Sequence, residues 1–229
     1  MSFTTGAVDP DGVRANRRAA LRRIARRPED GVMCGLVHGI SVRIVGNDDR
    51  GRGILSPRDA IPDTDGIITR EPGLALMMCF ADCVPLIVVD TQQRIIALAH
   101  AGWRGTLAGI AGALVTAMRE RCGADTASLL AVIGPSIGPA VYTVGSEVVS
   151  AFTQAYPDDA LFTTDERGPR LDLWEANRRQ FMRAGLRADA ISCAEICTFE
   201  HGARLFSHRY ALAHDESEGR FAILLTMED

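Results

Sequence analysis

The stretch 79–106 constrains the fold of this chain more than any other. Two apolar runs rich in β-branched residues, 85–90 and 94–100, flank the polar trio Thr91-Gln92-Gln93. This pattern predicts a β-hairpin with a two- or three-residue loop. With Thr91-Gln92 as the loop, Asp90 stands opposite Gln93 and Cys83 opposite His100. Opposed residues of an antiparallel pair share a face, with Cβ atoms about 5 Å apart. A loop longer by one residue would instead put the thiol and the imidazole on opposite faces. If they converge, they suit either a metal site or a Cys/His nucleophile pair.

With 229 residues and a net charge of −4, the chain fits one large domain, 1–229, able to bury a substantial core. The charge argues against a nucleic-acid partner. No run approaches the roughly 18 apolar residues of a membrane span, and the N-terminus lacks the basic and apolar regions of a signal peptide. The expected compartment is therefore the cytoplasm. There the six cysteines, Cys34, Cys79, Cys83, Cys122, Cys193 and Cys197, are expected to be reduced and read for packing or chemistry.

Asp9-Pro10 reads as an N-cap with proline at the first helical position, and Val13, Ala20, Leu21 and Ile24 recur at helical spacing before Pro28. The helix arginines (Arg17, Arg18, Arg22, Arg23, Arg26 and Arg27) read as a solvated face. Residues 33–45 read as a strand carrying His38-Gly39, 47–62 as loop, and 64–69 and 73–80 as two more strands around a Glu-Pro-Gly turn. After the hairpin, 106–121 has helical spacing and stops at Gly123. The preceding turn Gly102-Trp-Arg-Gly105 offers backbone amides and the Arg104 guanidinium to an anion. A buried strand is expected at 129–133, followed by the rigid loop 134–139, a short helix from Val144 to about Pro157 and an acidic loop. A helix capped by Asp172 and Glu175 then runs to Gly185. In the tail, strands at 190–197 and 221–226 surround a polar loop bearing His201, His208, Arg209 and His214. The class is α/β (α+β), with helices outside mostly antiparallel or mixed sheets.

Cys83, His100 and His38 form a ligand set that leaves one tetrahedral position of a zinc ion open, the arrangement of a catalytic site. Cys79 lies about 13 Å from Cys83 along an extended strand at ~3.3 Å per residue, too far to share the ion. With Cys193 and Cys197 it reads as a core thiol. Without a metal, the same residues suggest a thiol hydrolase with Cys83 as nucleophile and His100 as base. His38 discriminates between the two, being essential to the first and superfluous to the second.

The segments Val37-His-Gly39, Asp65-Gly-Ile-Ile-Thr69, Ala81-Asp-Cys-Val-Pro85, His100-Ala-Gly-Trp-Arg-Gly105, Ile133-Gly-Pro-Ser-Ile-Gly138 with Tyr142 and Gly145, Leu171-Asp-Leu173, Cys197-Thr198 and Phe206-Ser207 resemble, in order, the multicopper polyphenol oxidase (laccase) domain family. Its members are understood as purine nucleoside phosphorylases with adenosine deaminase activity, and some are called peptidoglycan editing factors. The resemblance implies a layered α/β/β/α arrangement of mixed sheets, similar to the catalytic domain of cytotoxic necrotizing factor. It implies zinc ligands at His38, Cys83 and His100, with copper as the alternative ion. The implied reactions are phosphorolysis of adenosine, inosine, guanosine and methylthioadenosine, together with hydrolytic deamination of adenosine. The implied partners are small molecules, nucleosides and phosphate, bound by a monomer or a dimer.

Arg104 is then a candidate to hold phosphate, while Asp82 either handles a proton or fixes the Cys83 loop. Copper oxidation as in a multicopper oxidase needs about ten histidines; this chain has five. Beside the zinc-dependent purine nucleoside enzyme stand two other readings, a cysteine amidohydrolase acting on a cell-wall precursor through Cys83 and His100, and a degenerate non-enzymatic member that binds metal and a partner protein. The chain departs from the family pattern at Val37, where Gln is common, and at His208 and Tyr210, where Tyr and Arg are frequent. Its N-terminal segment is also short, with Phe3-Thr-Thr-Gly6 running almost directly into the first helix.

Overall fold

A computed structural model describes residues 9–202 and 204–228; Phe3-Thr-Thr-Gly6 lies outside the described residues. In chain order the elements are α1 (Pro10–Arg23), β1 (Gly31–Met33), β2 (Val42–Ile44), β3 (Gly66–Thr69), β4 (Ala75–Phe80), β5 (Val84–Asp90), β6 (Ile95–Ala101), α2 (Trp103–Ala108), α3 (Ile110–Cys122), β7 (Leu129–Ile133), α4 (Ser146–Ala155), β8 (Phe162–Asp165), β9 (Gly168–Leu171), α5 (Leu173–Arg183), β10 (Ile191–Cys193), α6 (His208–His214) and β11 (Phe221–Leu225). A six-stranded mixed sheet, β10-β7-β5-β6-β3-β2, faces a three-stranded mixed sheet, β1-β4-β11, and β8-β9 forms a separate hairpin.

The period-2 alternation of strands assigns each residue to a layer. In β4, Ala75, Met77 and Cys79 pack on Leu21 of α1, while Leu76, Met78 and Phe80 meet Ile96 and Leu98 of β6 between the sheets. In β6 the alternate residues Ile95, Ala97, Ala99 and Ala101 turn to the other side. There they pack with Val84, Leu86 and Val88 of β5 against Ile110, Leu114 and Met118 of α3 and Phe181 of α5. The layers are therefore α1, small sheet, large sheet and helices, the α/β/β/α order expected. Helix α1 starts as its cap dictates: Asp9 accepts from the Asp11 N–H at 3.0 Å.

The central hairpin has a four-residue loop, not two. Pro85 pairs with His100 and Asp90 with Ile95. The Asp90 carboxylate accepts from the N–H groups of Gln92 and Gln93, at 3.0 and 2.9 Å, and Arg94 closes the turn at φ +52°. An aspartate that caps its own turn in this way lengthens the loop. Because the register moves by two residues, parity survives and Cys83 and His100 still belong to the inter-sheet face.

Other expectations need correction. Residues 33–45 are two strands in different sheets, β1 and β2, because His38 takes φ +60° between them. The helix expected at 106–121 begins earlier, at Trp103, and breaks at Gly109, which adopts φ +94°. In β7, Leu130 is 51 % and Val132 38 % exposed, so only one face of this strand is buried; the small sheet packs on the large one chiefly at β6. The strand expected at 190–197 covers only Ile191–Cys193, the acidic loop folds into β8-β9, and α6 occupies part of the polar tail loop. Arg17 is not solvated: it is buried, and Nη1 donates to the carbonyls of Gly53 and Ile54 at 2.7 and 2.9 Å.

Candidate metal centre

Three segments with no sequence proximity converge at one end of the sandwich. His100 ends the inward row Ile96, Leu98, His100 of β6, and the Phe80 ring lies 5.6 Å from its imidazole. Cys83 sits in the bend just before β5, following Asp82 at φ +80°. His38 projects from the β1–β2 connection, its ring 4.8 Å from that of His100 and nearly perpendicular to it. One ligand atom from each of His38, Cys83 and His100 lies within 4.8 Å of the others. Left-handed backbone at two non-glycine residues beside the cluster is conformational strain of the kind held in place at functional sites.

The group that organises the cluster is Asp65, which sequence reasoning did not assign. Wholly buried at the start of β3, its carboxylate accepts from the consecutive N–H groups of Val37, His38 and Gly39 at 3.1, 3.0 and 2.8 Å. It also meets His100 Nδ1 at 3.1 Å. Burial pushes this carboxylate up, but the His100 hydrogen bond and the Gly39 and Val37 amides outweigh it and hold the pKa below the ordinary range. An ionised Asp65 fixes the His100 proton on Nδ1, leaving the Nε2 lone pair for a ligand. Burial likewise raises the Cys83 thiol, yet His100 and His38 together bring it down and favour the thiolate. Gly102 is required by close approach: a Cβ there would lie 2.8 Å from His38 Cδ2 and 3.0 Å from Cys83 Sγ.

The donors fit a divalent zinc-type ion. One thiolate and two imidazoles are its preferred ligands, and bonds of about 2.0–2.3 Å are reached from this spacing by small shifts. The other candidate donors lie elsewhere. Cys79 faces α1, Cys197 is buried and accepts from the Gly138 N–H at 3.3 Å, and Cys193 is half-buried beside the helix-side core. His208 pairs with Glu218 at 3.0 Å and His214 stacks on Tyr210. Among the described residues no second His/Cys/Asp/Glu cluster suits a metal.

A cavity of about 300 Å³ opens on this cluster, with His38, Cys83, Asp82, Arg104, Tyr142 and Arg209 in its wall. A second, of about 450 Å³, lies against His38, His100, Arg17 and Arg220. Asp82 commits both oxygens: one accepts from Thr198 Oγ1 and the other from the Arg209 N–H, each at 2.7 Å. That favours fixing the Cys83 loop over proton transfer. Burial, with the nearby Cys83 thiolate, pushes the Tyr142 phenol up to about 12, so it faces the cavity as a neutral donor.

Residues 2–228 match the family model described as multi-copper polyphenol oxidoreductase laccase. The chain belongs to that family. Within this laccase family, the purine nucleoside phosphorylase YlmD of Geobacillus stearothermophilus is 40 % identical over 197 residues, 85 % of this chain and 72 % of that protein. A protein named adenosine deaminase RL5, from an unknown prokaryotic organism, is 35 % identical over 184 residues, 79 % of this chain and 70 % of its own. The crystal structure of the Geobacillus YlmD superposes with a TM-score of 0.93 at 36 % identity, covering all of this chain and 84 % of that one. Among the described residues no helix is long and apolar enough to cross a membrane.

Proposed function

We propose that this chain is a zinc-dependent purine nucleoside enzyme. It cleaves adenosine, inosine, guanosine and methylthioadenosine with phosphate, giving free base and the sugar 1-phosphate, and it deaminates adenosine. The observation that carries this reading is the convergence of His38 with Cys83 and His100. A Cys83–His100 dyad acting on a cell-wall precursor has no use for the second imidazole, whereas three protein donors with an open side toward a cavity are the makings of a catalytic centre. The names of the relatives support the reaction class.

A bound zinc ion supplies Lewis-acid chemistry at the purine or at water. The protein's part follows from the geometry. His100, held in one tautomer by Asp65, and the Cys83 thiolate keep the centre fixed, with the Phe80 ring packed 5.6 Å from the His100 imidazole. In phosphorolysis the C1′–N9 bond breaks with its electrons going to the base, a phosphate oxygen bonds C1′, and the proton of hydrogen phosphate ends on the purine. Positive charge grows on the sugar meanwhile, so an anion held beside it by Arg104 stabilises the transition state. In deamination, water adds at C6 and ammonia leaves, and no phosphate takes part.

The test is product analysis of adenosine turnover with and without phosphate, before and after chelation. Adenine with phosphate, inosine without it, and loss of both on chelation are expected. Metal-free turnover abolished by alkylating Cys83 would favour the cysteine hydrolase instead, and no turnover of any nucleoside would favour a binding role.

A further inference from the structure

We infer that Arg209 and Arg104 form a two-armed clamp for the phosphate co-substrate, so that phosphorolysis and deamination share the metal centre but separate at these two side chains. The inference rests on the nucleoside reading above and assigns the phosphate subsite within it.

Both arginines are in the wall of the cavity that holds His38 and Cys83. Each guanidinium is braced on an aromatic ring: Arg104 Cζ lies 4.2 Å from the Trp103 ring centroid and Arg209 Cζ 5.2 Å from that of Tyr142. Arg209 is further aimed by Nη1 donating to the Thr143 carbonyl at 3.0 Å. Stacking of this kind orients a guanidinium without neutralising it. Among the described residues neither side chain has an ion-pair partner, unlike Arg179 and Arg183, which share Asp159, and unlike the other arginines without a carboxylate partner these two line the cavity that holds His38 and Cys83.

Among the described residues the one carboxylate in the same wall, Asp82, accepts at one oxygen from Thr198 Oγ1 and at the other from the backbone N–H of Arg209, and pairs with neither guanidinium. Two guanidiniums and a divalent ion set against the Asp82 carboxylate and the Cys83 thiolate leave a net positive charge in the cavity. That suits a dianionic phosphate, which planar guanidiniums bind through paired N–H donors. A neutral nucleoside undergoing hydrolysis gains nothing from it. The two arms come from α2 and α6, distant in sequence; the turn into α2 already signals an anion site in the sequence, whereas the α6 segment does not.

The test compares zinc-loaded wild type with Arg209→Ala and Arg209→Lys, measuring adenine and inosine formation from adenosine over a range of phosphate concentrations. In Arg209→Ala the KM for phosphate is expected to rise about tenfold or more, and the ratio of adenine to inosine formed to fall in step. Arg209→Lys, which keeps the charge but loses the fork, recovers part of both. A KM for phosphate that does not move, or the two activities falling together, overturns the clamp and leaves Arg209 as a brace for the Thr143 carbonyl. Calorimetric titration of inorganic phosphate into the zinc-loaded proteins separates this outcome from failure of the nucleoside reading. The clamp requires phosphate binding to the wild type that weakens in Arg209→Ala, whatever nucleoside is turned over; equal or no binding in both proteins contradicts it.

Discussion

Asp65 and His100 are joined twice: the Asp65 carbonyl accepts from the His100 backbone N–H at 2.7 Å, and the Asp65 carboxylate meets His100 Nδ1 at 3.1 Å. The first contact places strand β6 against the start of β3, and the second sets the imidazole tautomer. The same carboxylate gathers three amides of the His38 turn, so one buried side chain positions two of the three candidate metal donors.

Asp65→Asn keeps the shape but puts an amide where four donors converge. Loss of partners around a ligating histidine weakens metal binding about 10- to 100-fold, and a buried group left unsatisfied costs roughly 1–3 kcal/mol of stability. Zinc affinity by chelator competition is expected to fall into that range, with a lower melting temperature for the metal-free protein. Unchanged zinc affinity would show that the cluster orients without Asp65.

Gly102→Ala pushes a methyl group against His38 and Cys83, so it is expected to weaken zinc binding before it affects the fold. Gly112→Ala is the contrasting change. Nothing lies within 4 Å of a Cβ at Gly112, which sits inside α3. Replacing a mid-helix glycine there stabilises by about 0.5–1 kcal/mol. Zinc titration should weaken in Gly102→Ala alone, and the melting temperature should rise in Gly112→Ala alone.

Asp159 receives Arg179 and Arg183, one turn apart on α5, at 2.9 and 2.7 Å. The Arg183 hydrogen bond, then Arg179, hold its carboxyl below the ordinary 3.8. A depressed carboxylate stabilises the fold above its unfolded pKa, and that contribution fades as pH falls through the folded value. Because the arginines are 33 % and 49 % exposed, screening limits it to about 1 kcal/mol. Asp159→Asn is expected to be less stable by that amount at pH 7, with the gap to wild type narrowing as pH falls below the ordinary 3.8. A gap that does not narrow on acidification would assign the effect to packing.

Strands β4, β5 and β6 were legible as apolar runs and helices α1 and α5 by their aspartate caps, whereas the layering was implied by the family resemblance and not by local pattern. Cys83, His100 and His38 were legible as chemistry. What local patterns hid was tertiary. Strand β8 is polar and mostly exposed, and α6 is a single short helix in a polar tail, so neither shows a periodic apolar face. Arg17 looked like its solvated neighbours until the loop bearing Gly53 and Ile54 folded over it. Asp65 offered one faint signal, an aspartate abutting an entirely buried strand, a position where a charge persists only with partners. Arg209 offered none, since its role depends on α6 packing beside Cys83.

The most direct test is the metal content of purified wild type, His38→Ala, Cys83→Ala and His100→Ala, read by elemental analysis after zinc loading and dialysis. One zinc per wild-type chain and a sharp loss in each variant, His38→Ala included, is the expected result. Full zinc retention by His38→Ala, or a wild type that turns over adenosine with no metal bound, would contradict the account.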